Sequence, residues 1–191
     1  MEKRIPESQR SAMELSAILN LDNDMDTILS VSMYVINQYM DAERTSIFLL
    51  DPLKQQLTSY SSLDLDKHEI RMSKSTGVAG WVIEHCMPAV INDAYDDRRF
   101  FRGVDEMTGF RTRNLICCPL IDDNENCLGT LQALNKKSGN FTPDDLELLS
   151  HAAWLLADAI KKGGSYEEMI TINTACEELR NEMSTELAIF Q

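Results

Sequence analysis

The sequence predicts an α+β fold: a central antiparallel β-sheet with helices on one face, a ligand pocket under a lid on the other, and long helices at both ends. Three observations predict it. Apolar residues recur at helical spacing near both ends of the chain, and they alternate or run continuously in short segments between residues 45 and 134. A long polar stretch, 92–114, separates two of those segments.

In chain order, Met13 and Leu15 with Ile18 and Leu19 give a helix over 8–19, and Ile28, Leu29, Ser32, Ile36 and Tyr39 give a second over 24–40, with Asn23 or Asp24 able to cap it. From Thr45 the period changes to two. Ile47 and Leu49 fall on one side, Ser46, Phe48 and Leu50 on the other, and Asp51-Pro52 ends the run in a hairpin. Residues 57–61 and 69–72 are short strands. Gly77-Val78-Ala79-Gly80 then opens a helix through Trp81, Val82 and Ile83, and Pro88 with Ala89-Val90-Ile91 returns the chain to the sheet. Residues 92–114 are too long and too polar for a plain connector, which marks them as a functional lid. Residues 115–121 and 127–134 are β-prone runs joined by Asp122-Asp123-Asn124-Glu125-Asn126, an antiparallel hairpin expected at the sheet centre. Thr142-Pro143-Asp144-Asp145 reads as an N-cap, a proline at the first helical position and two carboxylates at the positive end of a helix. That helix buries Leu146, Leu149, Ala153, Leu156 and Ile160 and ends at Gly163-Gly164.

The domain organisation that follows is an N-terminal helical segment over 1–21, the α+β domain over 22–162 and a linker helix over 163–191. In the last, Met169, Cys176, Met183 and Phe190 repeat every seven residues, with Ile172 and Leu179 on the second row and Glu186 breaking it. One narrow apolar seam predicts a partner helix, and a parallel homodimer supplies one; packing on its own domain is the alternative. Residues 186–191 stop in mid-helix with no Gly or Pro, which predicts continuation into a longer protein.

Of the 191 residues, 18 are Lys or Arg and 31 are Asp or Glu, a formal charge of −13. Such a field repels DNA and anionic membranes, so neither nucleic acid nor membrane is an expected partner. No window approaches the ~20 apolar residues of a membrane span. The five cysteines, Cys86, Cys117, Cys118, Cys127 and Cys176, are odd in number and form no C-x-x-C pair, which fits a reducing cytoplasm. His68, His85 and His151 are dispersed, and no nucleophile–base pair or metal-ligand cluster is recognisable. Cys117 and Cys118 are adjacent in a strand, so at least one should be buried and inert. The expectation is therefore no catalytic residue, no metal and no resident cofactor.

A pocket argument remains. Unpaired N–H groups at the helix opened by residues 77–80 attract an anion such as a phosphodiester, although the same glycines suit an ordinary strand-to-helix turn. Thr108 and Thr112, four residues apart, share a face if their segment is helical and could bond a purine edge or a ribose; capping is the plainer use of both.

Asn92-Asp93-Ala94-Tyr95-Asp96, Phe101-Arg102-Gly103-Val104-Asp105 and Thr108-Gly109-Phe110-Arg111-Thr112-Arg113-Asn114 together resemble the nucleotide lid of cyclic-nucleotide-binding GAF domains, those of phosphodiesterases and cyanobacterial adenylate cyclases. The resemblance spans about residues 41–162. That subgroup also carries Asn-Lys, a spacer and Phe-x-x-x-Asp-Glu, matched by Asn135, Lys136, Phe141 and Asp145, with Leu146 in place of the final Glu. The resemblance implies a Lys136–Asp145 ion pair bracing the pocket. It implies Ser46 facing the base, Val78 and Ala79 giving backbone N–H groups to the cyclic phosphate, and Thr108 and Thr112 holding the nucleotide from the lid. Gln132 replaces a glutamate near the ribose, keeping hydrogen-bonding capacity without the charge. Where guanine-binding relatives place Phe-Asp, this chain has Tyr60-Ser61-Ser62-Leu63, with Asp64 close by. That implies cAMP, or no strong choice, ahead of strict cGMP selectivity.

The function expected is a cytoplasmic regulatory sensor binding cAMP or cGMP and relaying pocket closure through dimeric terminal helices to an effector beyond this segment. A GAF dimerisation scaffold with an empty pocket is the first alternative, favoured by Gln132 and Leu146. A methionine sulfoxide reductase-like enzyme using thiols such as Cys86 or Cys118 around the pocket is the second.

Overall fold

A computed structural model of the chain describes residues 25–61 and 70–162 together with Met13. Apart from Met13, the expected helix over 8–19 lies outside the described residues, as do the caps at Asn23 and Asp24, His68, and the seam over 163–191 with Cys176.

Helix α1 (Met25–Tyr39) buries Ile28, Leu29, Met33 and Ile36, the i, i+4, i+7 side of its amphipathic pattern. Strand β1 (Ala42–Asp51) follows, and the Asp51 carboxylate starts its hairpin by accepting the N–H groups of Leu53 and Lys54, both at 2.9 Å. Then come β2 (Gln56–Ser61), β3 (Arg71–Ser73), α2 (Gly77–His85), β4 (Ala89–Ile91), α3 (Gly103–Thr108), β5 (Leu115–Ile121), β6 (Cys127–Lys136) and α4 (Pro143–Lys162). The sheet order is β3-β2-β1-β6-β5-β4, antiparallel throughout.

This order corrects one expectation. The β5–β6 hairpin does not occupy the centre; β1 and β6 do, and β5 lies second from the edge. Pairing of β1 with a strand some 80 residues later is a long-range choice that no local pattern encodes. The polar stretch 92–114 contains the helical turns of α3.

Alternation along the strands separates two compartments. Ile47 and Leu49 of β1, Ile116, Cys118 and Leu120 of β5, and Leu131 and Ala133 of β6 pack with α1 and α4 in the main core. The opposite face meets α2 and the lid, with Phe48, Leu57, Ala79 and Ile83 in one cluster and Val78, Val82, Ala89, Ile91, Leu115 and Cys117 in another.

Helix α4 starts as its sequence requires. Thr142 Oγ1 accepts the Asp145 N–H at 3.3 Å, and Asp145 accepts the Thr142 N–H at 2.8 Å, a reciprocal cap that satisfies two otherwise orphaned donors. The β5–β6 turn is organised by Asp122, whose carboxylate accepts the N–H groups of Asn124 (2.8 Å) and Asn126 (2.9 Å) and meets Lys161 of α4 at 3.2 Å. Burial works to raise the Asp122 carboxyl, but the hydrogen bonds from Asn126, Lys161 and Asn124 outweigh it and bring it to about 2 from its usual 3.8. A carboxyl held lower in the folded than in the unfolded state contributes stability above the unfolded value, and that contribution is lost as the pH falls towards 2. In Asp122→Asn, the decline of melting temperature between pH 4 and pH 2, followed by circular dichroism, should therefore be shallower than in the parent. An unchanged slope would remove Asp122 from the acid response.

Candidate functional site

The floor of a single cavity is built by the sheet face opposite α1 and α4. Arg44, Ser46 and Phe48 enter it from β1, Gln132 and Leu134 from β6, and Leu115 from β5. Ser46 and Gln132 are cross-strand partners, so the two uncharged polar side chains of the floor stand side by side. Gln132 Nε2 donates to Cys117 Sγ at 3.4 Å. Burial, with Cys118 alongside, pushes the Cys117 thiol well up, so it stays protonated and leaves the Gln132 amide oxygen as the acceptor for a ligand. Cys117 and Cys118 are both fully buried, and burial likewise raises Cys118, to about 11.

One wall is the start of α2. Gly77 adopts φ +71°, and a Cβ on it would lie 3.3 Å from Phe101 Cβ of the lid, so the glycine serves both the backbone turn and the lid's approach. A Cβ on Gly80 would come 2.5 Å from the Ser75 carbonyl carbon, which fixes how closely the helix abuts the strand-to-helix loop. Thr76, at the N-cap, makes no side-chain capping bond, and the first turn holds no acidic residue. Val78 and Ala79, which line the cavity, thus stand in a first helical turn that carries neither a side-chain cap from Thr76 nor an acidic residue.

The lid supplies the roof through Phe100, Phe101, Val104, Asp105, Thr108, Phe110 and Thr112. Asp105 is its hub. Buried to 7% exposure, its carboxylate accepts Thr112 N–H and Thr112 Oγ1, both at 2.7 Å, and Tyr95 OH at 3.0 Å. Burial and the Asp105 hydrogen bond raise the Tyr95 phenol above its usual value, which keeps it a donor. The Tyr95 ring is flanked by the guanidinium groups of Arg102 (4.8 Å) and Arg111 (5.0 Å). Both stems of the lid are tied down. Asn92 exchanges hydrogen bonds with the Phe141 backbone, and Asn135, at φ +57°, accepts Arg113 N–H at 2.6 Å while donating to Arg111 O (2.9 Å) and Glu43 (2.8 Å). The hydrogen bonds of Arg113 and Asn135 hold the Glu43 carboxyl below its usual range.

All six residues expected to meet a ligand, Ser46, Val78, Ala79, Thr108, Thr112 and Gln132, line this cavity, which holds about 620 Å³ of empty space with its open mouth included. The two threonines do not share a helical face: α3 ends at Thr108 because Gly109 takes φ +70° as its left-handed cap, so Thr112 lies beyond the helix. Thr108 Oγ1 donates to Val104 O at 2.8 Å and accepts Phe110 N–H at 3.3 Å, and the Thr112 hydroxyl proton is committed to Asp105. Both hydroxyls therefore shape the lid and offer a ligand acceptor lone pairs, not free protons.

Sequence reasoning gives Arg44 no place in the site, and it quotes Phe110 and Asp105 within the lid without assigning either a role. The period-two register with Ser46 was the available signal for Arg44. Nothing local announces the contact of its guanidinium with the Phe110 ring at 4.2 Å. Neither Cys86 nor Cys118 lines the cavity: Cys118 faces the α4 side, 3.4 Å from Ser150 Oγ, and Cys86 caps the outer end of α2. Among the described residues no cysteine lines the cavity, and the nearest to its floor is the protonated Cys117 bonded to Gln132.

Behind the site, Lys136 Nζ lies 2.6 Å from Asp145, with only 15% and 14% of the two side chains exposed, and donates to Met40 O at 3.3 Å. Phe141 packs beside it in the main core, its ring 5.7 Å from Nζ. This pair joins β6, the end of α1 and the start of α4 without entering the cavity. Lys136→Met should lower stability by about 2 kcal/mol by stranding a mostly buried carboxylate, less than a fully buried pair because the Thr142 cap still serves Asp145. A thermal melt shifted by less than a degree would show the pair to be energetically idle.

The GAF domain family model matches residues 24–160. The chain belongs to the GAF family. Two relatives are the dual 3',5'-cyclic-AMP and -GMP phosphodiesterase 11A of Takifugu rubripes, 33% identical over 150 residues, and the dual 3',5'-cyclic-AMP and -GMP phosphodiesterase 11 of Drosophila melanogaster, 32% identical over 146. These matches take in 71% and 68% of this GAF chain but 17% and 10% of the relatives, so the chain spans a small part of each. Among solved structures, the GAF domain of an Acinetobacter phosphoenolpyruvate-protein phosphotransferase superposes with a TM-score of 0.73 at 16% identity, covering 86% of this chain and 99% of that one. A free methionine-R-sulfoxide reductase from Neisseria meningitidis superposes with a TM-score of 0.67, also at 16% identity, covering 84% and 93%. At those identities the likeness is one of fold. Membership of the GAF family and the likeness to these two phosphodiesterases support a regulatory sensor domain. No helix among the described residues is long and apolar enough to cross a membrane.

Proposed function

We propose that this GAF domain binds a purine cyclic nucleotide, cAMP or cGMP, and that occupancy is relayed to an effector elsewhere in a larger cytoplasmic protein, with a homodimer formed through the terminal helices. The observation that carries the reading is the cavity itself: an anion-attracting α2 start, a polar Ser46–Gln132 floor and an aromatic roof meet in one space. A cyclic phosphodiester carries one negative charge, which the Val78 and Ala79 amides can take without a cation. The purine then lies against Phe48, Leu115 and Leu134 under the lid, where apolar contact and stacking are available. The 32–33% identity to dual-specificity phosphodiesterases supports the same class of ligand. A signal requires the closed lid to bind more tightly than the open one, and the difference in affinity is the whole of the energy available for relay.

Calorimetric titration of the 191-residue chain with cAMP and with cGMP tests this directly. Binding of either nucleotide, weakened about three- to tenfold in Thr108→Ala through a loosened lid turn, is the expected result. The absence of heat and of any melting shift at millimolar nucleotide would remove the reading. The scaffold alternative, favoured by Gln132 and Leu146 standing where relatives of the family place Glu, would then take its place.

A further inference from the structure

The cysteines divide into two kinds. Cys117 and Cys118 are fully buried on opposite faces of β5, one bonded to Gln132 and the other to Ser150, so they cannot pair with each other. Cys86 and Cys127 are placed differently. Cys86 is exposed at the end of α2, Cys127 is half-buried at the start of β6, and their side chains are in hydrogen-bonding contact. Ile83 is their common neighbour: Cys86 Sγ donates to Ile83 O at 3.6 Å, and Cys127 packs on the apolar cluster that contains Ile83. Burial, with Cys86 alongside, raises the Cys127 thiol to about 11, which keeps it protonated at neutral pH.

The backbone adds a second observation. Cys86 caps α2 at φ +49° and ψ 34°, the left-handed state in which helices end most readily on glycine. A cysteine there carries strain that glycine would avoid, and such outliers collect at functional positions. An accessible thiol with a second, less accessible thiol in contact is the arrangement of a redox-active pair, in which one sulfur meets the oxidant and the other resolves it.

We propose that Cys86 and Cys127 form a reversible oxidation site, at which a hydroperoxide oxidises Cys86 and Cys127 then closes a disulfide with it. In the first step the Cys86 sulfur attacks a peroxide oxygen; an S–O bond forms as the O–O bond breaks, and the thiol proton leaves with the departing hydroxide as water. In the second, the Cys127 sulfur attacks the Cys86 sulfenic acid; the S–S bond forms, the S–O bond breaks, and the Cys127 proton leaves with that hydroxide as a second water. The peroxide gains two electrons and each sulfur gives one. Partial burial makes Cys127 the poorer first nucleophile, while contact with Cys86 supplies the proximity that the second step needs. The bond joins α2, a wall of the cavity, to β6, whose Gln132 lies in its floor. A dithiol restores both thiols by exchange. None of this requires a nucleotide, so the site stands apart from the function proposed above.

The test exposes the 191-residue chain to hydrogen peroxide, alkylates the remaining thiols in denaturant and maps the disulfides by mass spectrometry of a non-reducing digest. The expected product is a Cys86–Cys127 linked peptide formed within single chains and lost on treatment with dithiothreitol, with Cys117 and Cys118 recovered as alkylated thiols. Closing about 40 residues of chain should raise the melting temperature by roughly 5–15 °C, a rise that Cys86→Ser should abolish. In Cys127→Ser, dimedone should trap a sulfenic acid on Cys86; in Cys86→Ser it should find none on Cys127. Mapping the parent needs no variant, so a poorly folding substitution leaves the test intact. Linkage of Cys86 to Cys176 or to another chain in place of Cys127 would overturn the proposal. So would a parent in which Cys86 stays reduced, or stops at the sulfenic acid, and so would a melting temperature that falls when the bond forms.

Discussion

Ala79→Asp is expected to abolish nucleotide binding, with an affinity loss of at least about 100-fold, or about 2.8 kcal/mol. Ala79 stands in the first turn of α2, lines the cavity and is 2% exposed, and its amide is one of the two proposed above to meet the anion. A carboxylate in a helix's first turn interacts favourably with the positive end of the dipole. It would occupy the place proposed for the phosphate, turning an attraction into a like-charge repulsion at close range. Size and charge are separated by Ala79→Asn, which adds nearly the same volume without the charge and should retain measurably more affinity than the aspartate. Equal losses in the two variants would mean that the pocket excludes bulk there and that the amides hold no anion. Near-ultraviolet circular dichroism of both variants reports whether the aromatic environment around Phe48, which packs with Ala79 and Ile83, is kept.

Asp105→Ala should cost about 3 kcal/mol of stability and lower the melting temperature by roughly 6–12 °C. The change removes the acceptor of three hydrogen bonds and deprives the N–H of Thr112, a residue 1% exposed, of its protein partner. Hydrogen exchange should accelerate across 92–114 and much less in the central strands, because the hub ties the lid to itself rather than to the sheet. Asp105→Asn, which keeps one acceptor oxygen, should recover part of the loss. Uniform acceleration through β1 and β6 would instead mark Asp105 as a determinant of the whole fold. Nucleotide affinity should fall in both variants, since the roof would then have to be ordered at the moment of binding.

Much of this architecture was readable from local chemistry. The α4 cap follows from Thr142-Pro143-Asp144-Asp145, and the two faces of β1 follow from strict alternation at 45–50. Strand order was not readable: β1 pairs with β6 across most of the domain, and either strand's pattern would suit an inner position beside another partner. The short α3 escaped because Gly103-Val104-Asp105-Glu106-Met107-Thr108 is mostly polar and carries no apolar period. At the site, the residues that resemble a known lid fell on the cavity wall, but their hydrogen bonds did not follow from spacing. Asp105 is held by Tyr95, ten positions before it, and Thr112, seven after, and only the fold brings these together. Arg44 and Phe110 likewise meet across 66 positions of chain.

The alternation along β1 has a mechanical meaning. Ser46 belongs to the cavity and Ile47 to the core beneath α1 and α4, so a single peptide unit is the entire thickness of the partition between the receptor chamber and the helical layer. Under the proposed function, a ligand that shifted Ser46 would shift Ile47 with it, because the two are consecutive residues of one strand, and Leu131 stands opposite Ile47 on β6. A partition that thin would act, under the same proposal, as a diaphragm, with pocket volume on one side felt as packing pressure on the other.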